Sequence, residues 1–354
     1  MTLLLARTTR IRWHPPYSTL LPWNSIHGQT AHINILLSSS RQPFSVYLPR
    51  RRNQNLPNKN DHEKSADPRM RELGRAIEDD FASLREKYAT PKHPIVLAHG
   101  LLGFDELRLA GKYFRGVQYW RGITDALRAN GVEIIIAQVP PSASIEERAA
   151  KLSHDIAAKA NGKSVNIIAH SMGGLDARYM ISQLQPENVN VLSLTTIASP
   201  HRGSSFADFV IDEIGPAHLP RIYDWCQRFG IGTGAFQQLT KRYMLEEFNP
   251  KTPDDTTVRY FSYGATADPG VLSPFRYSHG IVNTAEGPND GLVSVESAMW
   301  GTYKGTLVGV SHLDLINWTN RLQYWALKVV GVERKFNAIA FYLDIADMLA
   351  KEDL

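Results

Sequence analysis

The segment A-H-S-M-G-G at 169–174 contains the strongest candidate for a reactive side chain, Ser171. It follows an apolar run that predicts a strand over 165–169, and it opens a helical pattern over 172–184. A tight turn between a strand and a helix lifts a serine hydroxyl above the sheet edge, where it can act as a nucleophile. The small residues two positions before and after the serine suit such a turn. We therefore predict a nucleophilic serine; the alternative is that Ser171 only caps the helix.

A serine hydroxyl is a poor nucleophile and needs a histidine base that an acidic side chain orients. In folds with this turn, the chain order is serine, acid, histidine. His312 directly follows the last predicted strand, where the histidine belongs, whereas His279 sits in a polar loop with no strand before it. Asp290, in P-N-D-G-L-V, is the favoured acid. Asp268 and Asp314 are rivals, and the plainer interpretation of Asn-Asp-Gly is a turn.

Ester or amide chemistry at such a serine also needs two N–H donors for the negative charge that develops on the carbonyl oxygen. The backbone of Met172, the residue after the serine, is one expected donor. The loop H-G-L-L-G at 99–103 follows the first predicted strand and supplies the other, for which we choose the Leu101 amide. Glycines at 100 and 103 let this loop bend tightly.

Strands and helices that position these residues alternate along the chain. This alternation predicts an α/β fold with a mostly parallel central sheet covered by helices on both faces. The predicted strands are 94–98, 132–138, 165–169, 191–197, 258–263 and 303–310, and the helices between them are 113–129, 144–160 and 172–184. Ser144 and Glu147 form a capping box at the start of the second of these helices.

Three further helical regions fall outside the alternation. Apolar residues at steps of three and four predict a helix over 70–88 before the first strand. Residues 205–248 predict two or three successive helices without a strand, which indicates an insertion on top of the sheet. Two helices close the chain.

Five motifs appear in a fixed order between 94 and 318. They are H-G-L-L-G-F-D at 99–105, A-H-S-M-G-G-L-D-A-R-Y at 169–179, T-T-I-A-S-P-H-R-G-S-S-F-A-D-F at 195–209, N-D-G-L-V at 289–293 and S-H-L-D at 311–314. Together they resemble the true triacylglycerol lipases of the α/β-hydrolase fold. The fungal mitochondrial and the bacterial secreted triacylglycerol lipases are the similar groups.

The resemblance implies a catalytic triad of Ser171, Asp290 and His312, with Leu101 and Met172 as oxyanion donors. It implies that 205–248 is a lid over an acyl pocket, for which the alternative is an ordinary packed subdomain, and that the substrate is a lipid ester at a membrane or droplet surface. A phospholipase, an acyltransferase or a broad carboxylesterase would use the same residues. A non-catalytic, membrane-associated binding module is the alternative from another class, and the complete triad speaks against it.

The bacterial relatives usually contain a disulfide, and many also hold a structural calcium. Their usual disulfide is impossible here, since Cys226 is the single cysteine. Many of them hold a structural calcium through two aspartates, whose positions fall on Asp268 and Asp314. Because calcium takes about six to eight oxygen ligands, two carboxylates make calcium only an option, and no cofactor is required by the expected chemistry.

The charge of the chain is unevenly distributed over its 354 residues. The total of 39 basic and 35 acidic residues includes eight basic and no acidic residues in 1–60. Residues 61–354 therefore carry a net charge of −4. This acidic balance argues against a nucleic-acid-binding surface. No run of 18 apolar residues occurs, so we expect no transmembrane helix.

Residues 1–60 are rich in Arg, Ser and Thr, and a short amphipathic stretch interleaves leucines with arginines near the start. This composition is typical of an organellar transit peptide. We therefore predict a mitochondrial targeting leader over 1–60 and one α/β-hydrolase domain over 61–354. The alternative for the leader is a basic arm on a protein that stays cytosolic or associates with lipid droplets.

Overall fold

The computed structural model describes residues 74–101, 119–141, 143–212, 233–270, 273–318 and 336–354. The leader predicted over 1–60 lies outside these ranges, as do residues 213–232 of the predicted helical insertion and residues 319–335. The boundary at residue 60 stays a prediction.

Seven strands of the described chain form one sheet in which all neighbours pair in parallel, in the order β1-β7-β6-β5-β4-β2-β3. This sheet and its flanking helices confirm the predicted α/β-hydrolase fold class. The strands are β1 Ala76–Ile77, β2 Ile95–Ala98, β3 Ile134–Ile136, β4 Val165–His170, β5 Val191–Ile197, β6 Arg259–Thr266 and β7 Thr302–Val308.

The described helices lie between the strands and after the last one. They are α1 Ile123–Ala129, α2 Ile145–Lys159, α3 Gly173–Tyr179, α4 Ser205–Asp212, α5 Thr233–Gln238, α6 Asn249–Lys251, α7 Arg276–Ala285, α8 Val295–Ala298 and α9 Ala338–Lys351. π-Helical turns extend α3 over Met180–Leu184 and precede α6 over Tyr243–Phe248, and a 3₁₀ turn covers Asp314–Ile316. Ser144 caps α2 as predicted, because its hydroxyl accepts the Glu147 N–H at 3.3 Å, which is one of the two hydrogen bonds of a capping box.

The core has one layer on each face of the sheet. Alternate residues of β2 point to opposite faces: Ile95 and Leu97 pack with α1 and α9, whereas Val96 and Ala98 pack with α2. All four are buried. The strand is therefore apolar throughout, as expected for a parallel strand that helices cover on both sides.

The helix predicted over 70–88 is wrong for its described part. Residues 76–77 instead form the edge strand β1, which pairs with β7 through Ala76 and Thr306. Ile77 and Phe81 are buried, but Leu84 is 56% exposed, so the apolar pattern does not continue along one face. Pairing with a distant strand takes precedence over the local periodicity.

Between β5 and β6, the described residues contain helices α4, α5 and α6 and no strand. The break in the alternation predicted for 205–248 is therefore present, while its role as a lid stays a prediction. Among the helices that the structure describes, none is both long and apolar enough to span a bilayer.

Candidate active site

Ser171 occupies the turn between β4 and α3 with a backbone φ of +56°. This left-handed conformation is strained for a residue with a side chain. The Ser171 N–H donates to the Ile197 carbonyl at 2.9 Å, which ties the turn to the end of β5. Gly173 packs so closely under β2 that a Cβ there would lie 2.7 Å from the Ala98 carbonyl oxygen. The start of α3 thus lies directly against the end of β2, where only a glycine fits.

His312 and Asp290 form a buried pair in which His312 Nδ1 lies 2.6 Å from Asp290 Oδ2. The other carboxylate oxygen accepts the N–H groups of Leu292 and Val293 at 3.0 and 2.9 Å. The backbone N–H of His312 also donates to the backbone carbonyl of Asp290 at 3.0 Å. Because a carboxylate only accepts, we assign the Nδ1–H tautomer to His312, which leaves Nε2 as a proton acceptor.

The alternative base is placed elsewhere. His279 lies on α7 and lines a cleft of about 620 Å³ together with Asp268 and Asp314. It is not among the described residues that line the cavity holding Ser171 and His312. Asp290 also borders this cleft, and it is Asp290, rather than Asp268 or Asp314, whose carboxylate contacts His312.

The cavity beside Ser171 has a volume of about 120 Å³ and an almost entirely apolar wall. His312 and Leu101 line it with the serine, and α4 and α5 of the insertion supply part of its wall. The wall residues from these two helices are Phe206, Ala207 and Phe236, and Leu239 directly after α5 also lines the cavity. A site of this kind takes an apolar ligand whose polar group meets the serine.

The loop after β2 lies directly against Ser171, since a Cβ on Gly100 would be 2.6 Å from the Ser171 Cβ. His99 holds this loop. Its Nε2 accepts the Val139 N–H at 3.3 Å, so its Nδ1 carries the proton and donates to the Gly100 carbonyl at 3.0 Å. In a trans peptide, the N–H points away from the carbonyl. Holding the Gly100 carbonyl therefore fixes the direction of the Leu101 N–H.

The two expected oxyanion donors are both unengaged within the described chain. Neither the Leu101 amide nor the Met172 amide donates a hydrogen bond to another described residue. Leu101 lines the cavity, and the Met172 amide follows directly after Ser171. Both amides are therefore available to a bound carbonyl oxygen.

Arg148 on α2 is a supporting residue that sequence reasoning missed. Its side chain is fully buried, donates to the His99 carbonyl at 2.8 Å and pairs with Asp176 of α3 at 2.7 Å. The pair joins the loop after β2 to the helix after Ser171. No motif spacing marks Arg148, because the contact forms only when α2 packs beside the sheet.

We expect His99 to make the folded state sensitive to acid. Burial, followed by the charge of Arg148, lowers the pKa of His99 to about 4, against about 6.5 in an unfolded chain. As pH falls between these values, only the unfolded chain takes up the proton, so stability is lost. From pH 7 to 5, the wild type should lose about 2 kcal/mol more free energy of unfolding than His99→Asn.

Urea unfolding at pH 7, 6 and 5 measures this difference. His154→Asn, at an exposed position of α2, is the matched control and should keep the pH dependence of the wild type. Equal pH dependence in His99→Asn and the wild type would contradict the assignment of a neutral, buried His99.

The calcium option finds little support in the donors of the described chain. Asp268 and Asp314 line the same cleft. Asp314 Oδ2 already accepts the N–H and the hydroxyl of Ser311, at 3.0 and 2.6 Å. Within the described ranges, no group of three or more His, Cys, Asp or Glu side chains is placed to hold a metal ion. Calcium stays a prediction, and the catalytic geometry above does not depend on it.

Comparisons with known proteins give consistent results. The family model described as a PGAP1-like alpha/beta domain matches residues 148–212, which include the Ser171 turn. Triacylglycerol lipase 2 of Saccharomyces cerevisiae is 37% identical over 318 residues, covering 77% of this chain and 96% of the yeast protein. A triacylglycerol lipase of Pseudarthrobacter phenanthrenivorans is 29% identical, covering 66% and 91%.

Among solved structures, the lipase of Staphylococcus hyicus superposes with a TM-score of 0.55 at 22% identity. The match covers 76% of this chain and 98% of the staphylococcal chain. At this identity the likeness supports the fold alone. The yeast relative carries the argument for the family, because it matches at higher identity over nearly its whole length.

Proposed function

This chain belongs to the triacylglycerol lipases of the α/β-hydrolase fold, and we propose that it hydrolyses acylglycerol esters through an acyl-enzyme on Ser171. One observation supports the proposal above all. Ser171, on a strained turn, lines an apolar cavity with His312, whose Nδ1 is held by the buried Asp290. Nucleophile, base and orienting acid thus meet beside a space suited to an acyl chain.

In the first step, His312 Nε2 takes the hydroxyl proton of Ser171 as Oγ attacks the ester carbonyl carbon. The carbonyl oxygen becomes negatively charged and accepts the N–H groups of Leu101 and Met172. Removing one such donor typically lowers kcat by about 10²–10³-fold. His312 then gives its proton to the leaving alcohol, and the acyl group stays on Ser171.

In the second step, a water molecule gives a proton to His312 and attacks the acyl carbon. The tetrahedral species collapses, the fatty acid leaves, and the proton returns to Ser171. Throughout both steps, Asp290 keeps the proton of neutral His312 on Nδ1 and stabilises the imidazolium when it forms.

The substrate class can be tested with two lipids of matched acyl chains. Emulsified trioleoylglycerol and dioleoylphosphatidylcholine vesicles differ at the third position of glycerol, where the phospholipid carries a charged headgroup. We expect faster release of oleate from the triacylglycerol, since the described cavity wall is apolar and offers little to a charged headgroup. Ser171→Ala serves as the blank. Preference for the phospholipid would overturn the substrate proposal while leaving the serine mechanism intact.

Action at a lipid surface is a further part of the proposal. Ile211 of α4 is 40% exposed and Tyr277 of α7 is 66% exposed, and the Tyr277 ring packs against Phe209 of α4 at 5.8 Å. Ile211 lies within the insertion that walls the cavity and Tyr277 packs against it, so these exposed side chains suit contact with a lipid surface. We expect activity on tributyrin to rise sharply once its concentration exceeds its solubility. A smooth saturation curve through that point would argue against a surface-dependent lid.

Mitochondrial delivery completes the proposal and rests on the composition of residues 1–60. A fusion of these residues to a fluorescent protein should enter mitochondria. A fusion that remains in the cytosol or collects on lipid droplets would support the alternative location.

A further inference from the structure

Tyr119 bridges the two loops that meet at the candidate active site. Its hydroxyl oxygen accepts the Gly100 N–H at 3.1 Å and lies 2.7 Å from His170 Nδ1. Gly100 precedes the expected oxyanion donor Leu101, and His170 precedes Ser171. A single buried hydroxyl therefore contacts the residue before Leu101 and the residue before Ser171.

The direction of these hydrogen bonds follows from the donors available. The Gly100 amide can only donate, and His170 Nδ1 is the one acceptor that the described residues offer to the Tyr119 hydroxyl proton, so we assign that proton to the bond with His170 Nδ1. Burial raises the pKa of the Tyr119 hydroxyl, so it keeps this proton at neutral pH. His170 must then carry its own proton on Nε2. Burial, followed by the charge of His312, lowers the pKa of His170 and keeps its ring neutral.

His170 lies beside the expected base. The ring centroids of His170 and His312 are 4.5 Å apart, so the two imidazoles are in direct contact. A positive charge on His170 would oppose the imidazolium that His312 must form during the reaction. Keeping His170 neutral therefore favours catalysis.

We propose that Tyr119 is a positioning residue that holds Gly100 against Ser171 and fixes His170 in its neutral Nε2–H tautomer beside His312. The inference rests on the proposed ester hydrolysis. It also accounts for the choice of oxyanion donor: Tyr119 occupies the Gly100 N–H, so the next amide, that of Leu101, remains for the substrate.

Tyr119→Phe removes only the bridging oxygen. On a soluble p-nitrophenyl ester, we expect kcat to fall by about 10- to 100-fold with KM nearly unchanged, less than for complete loss of an oxyanion donor. An alkylboronic acid forms a tetrahedral adduct on the nucleophilic serine and places an oxygen between the oxyanion donors. Its affinity should fall by a similar factor, because it reports the same geometry without turnover.

Tyr342→Phe is the matched control. Tyr342 is also fully buried, but its hydroxyl has no hydrogen-bond partner among the described residues. Loss of this oxygen should leave both kcat and boronate affinity unchanged. Wild-type values of both in Tyr119→Phe, or equal losses in the two variants, would overturn the positioning role.

A measurement on the wild type tests the same assignment if Tyr119→Phe does not fold. In protein labelled with ¹⁵N-histidine, the His170 signals, identified by their loss in His170→Gln, should show the proton on Nε2. A proton on Nδ1 would overturn the proposal. Failure of the underlying hydrolase function would appear differently, as wild-type activity that Ser171→Ala does not reduce.

Discussion

Ser171→Ala should lower kcat on a soluble p-nitrophenyl ester by about four to six orders of magnitude. The alanine has no oxygen to form the acyl-enzyme, so only the oxyanion donors and His312 would remain to assist attack by water. The backbone effect should be small, because alanine and serine both carry a Cβ at the strained φ of +56°. The variant should therefore unfold near the wild-type temperature.

Ser199→Ala is the control for this experiment. Ser199 lies just after β5, and its buried hydroxyl has no hydrogen-bond partner among the described residues. Ser199→Ala also removes one hydroxyl oxygen beside α3, but it leaves the proposed nucleophile in place. Activity in Ser171→Ala above about 1% of the wild type, in protein free of contaminating esterase, would refute the nucleophile assignment.

The parts of the site that sequence could predict are those set by short-range order. A parallel sheet brings the carboxyl ends of its strands to one edge. Residues that directly follow β2, β4 and β7 therefore lie at the same edge of the sheet, and the loop after β7 must bring His312 past β6 and β5 to reach Ser171. Leu101, Ser171 and His312 each follow a strand within a few residues. Their assembly follows from the alternation of strands and helices together with the motif chemistry.

The supporting residues follow a different rule. Arg148 is 49 residues from the His99 carbonyl that it binds, and Tyr119 is 51 residues from His170. The sequence placed Tyr119 inside a predicted helix over 113–129, with no sign of its contacts. Arg148 lies on α2 and Tyr119 in the turn before α1. Their contacts form only when these segments pack on the sheet, and local periodicity does not encode that packing.

The same reasoning explains the wrong helix over 70–88. The apolar spacing there fits a helix, yet Ala76 pairs with Thr306, 230 residues further along the chain. An edge strand of two residues leaves almost no period-two signal. The pairing of this short strand with β7 could therefore not be predicted from the spacing of apolar residues.

Asp290→Asn should lower kcat by about four orders of magnitude while leaving the fold intact. The asparagine oxygen can still accept the Leu292 and Val293 N–H groups that Asp290 Oδ1 accepts now. Its amide nitrogen would then replace Oδ2 beside His312 Nδ1, which it faces at 2.6 Å. Two donors cannot share that bond, so the proton of His312 moves to Nε2, and the base can no longer take the Ser171 proton.

Asp314→Asn provides the comparison, because Asp314 lines the same cleft as Asp290 but binds Ser311 rather than His312. We expect it to keep kcat within a few-fold of the wild type. Activity of Asp290→Asn on a p-nitrophenyl ester should rise with pH, since hydroxide can replace the lost general base. If Asp290→Asn stays as active as Asp314→Asn at pH 7, then another acid orients His312. Asp290 would in that case only shape its loop.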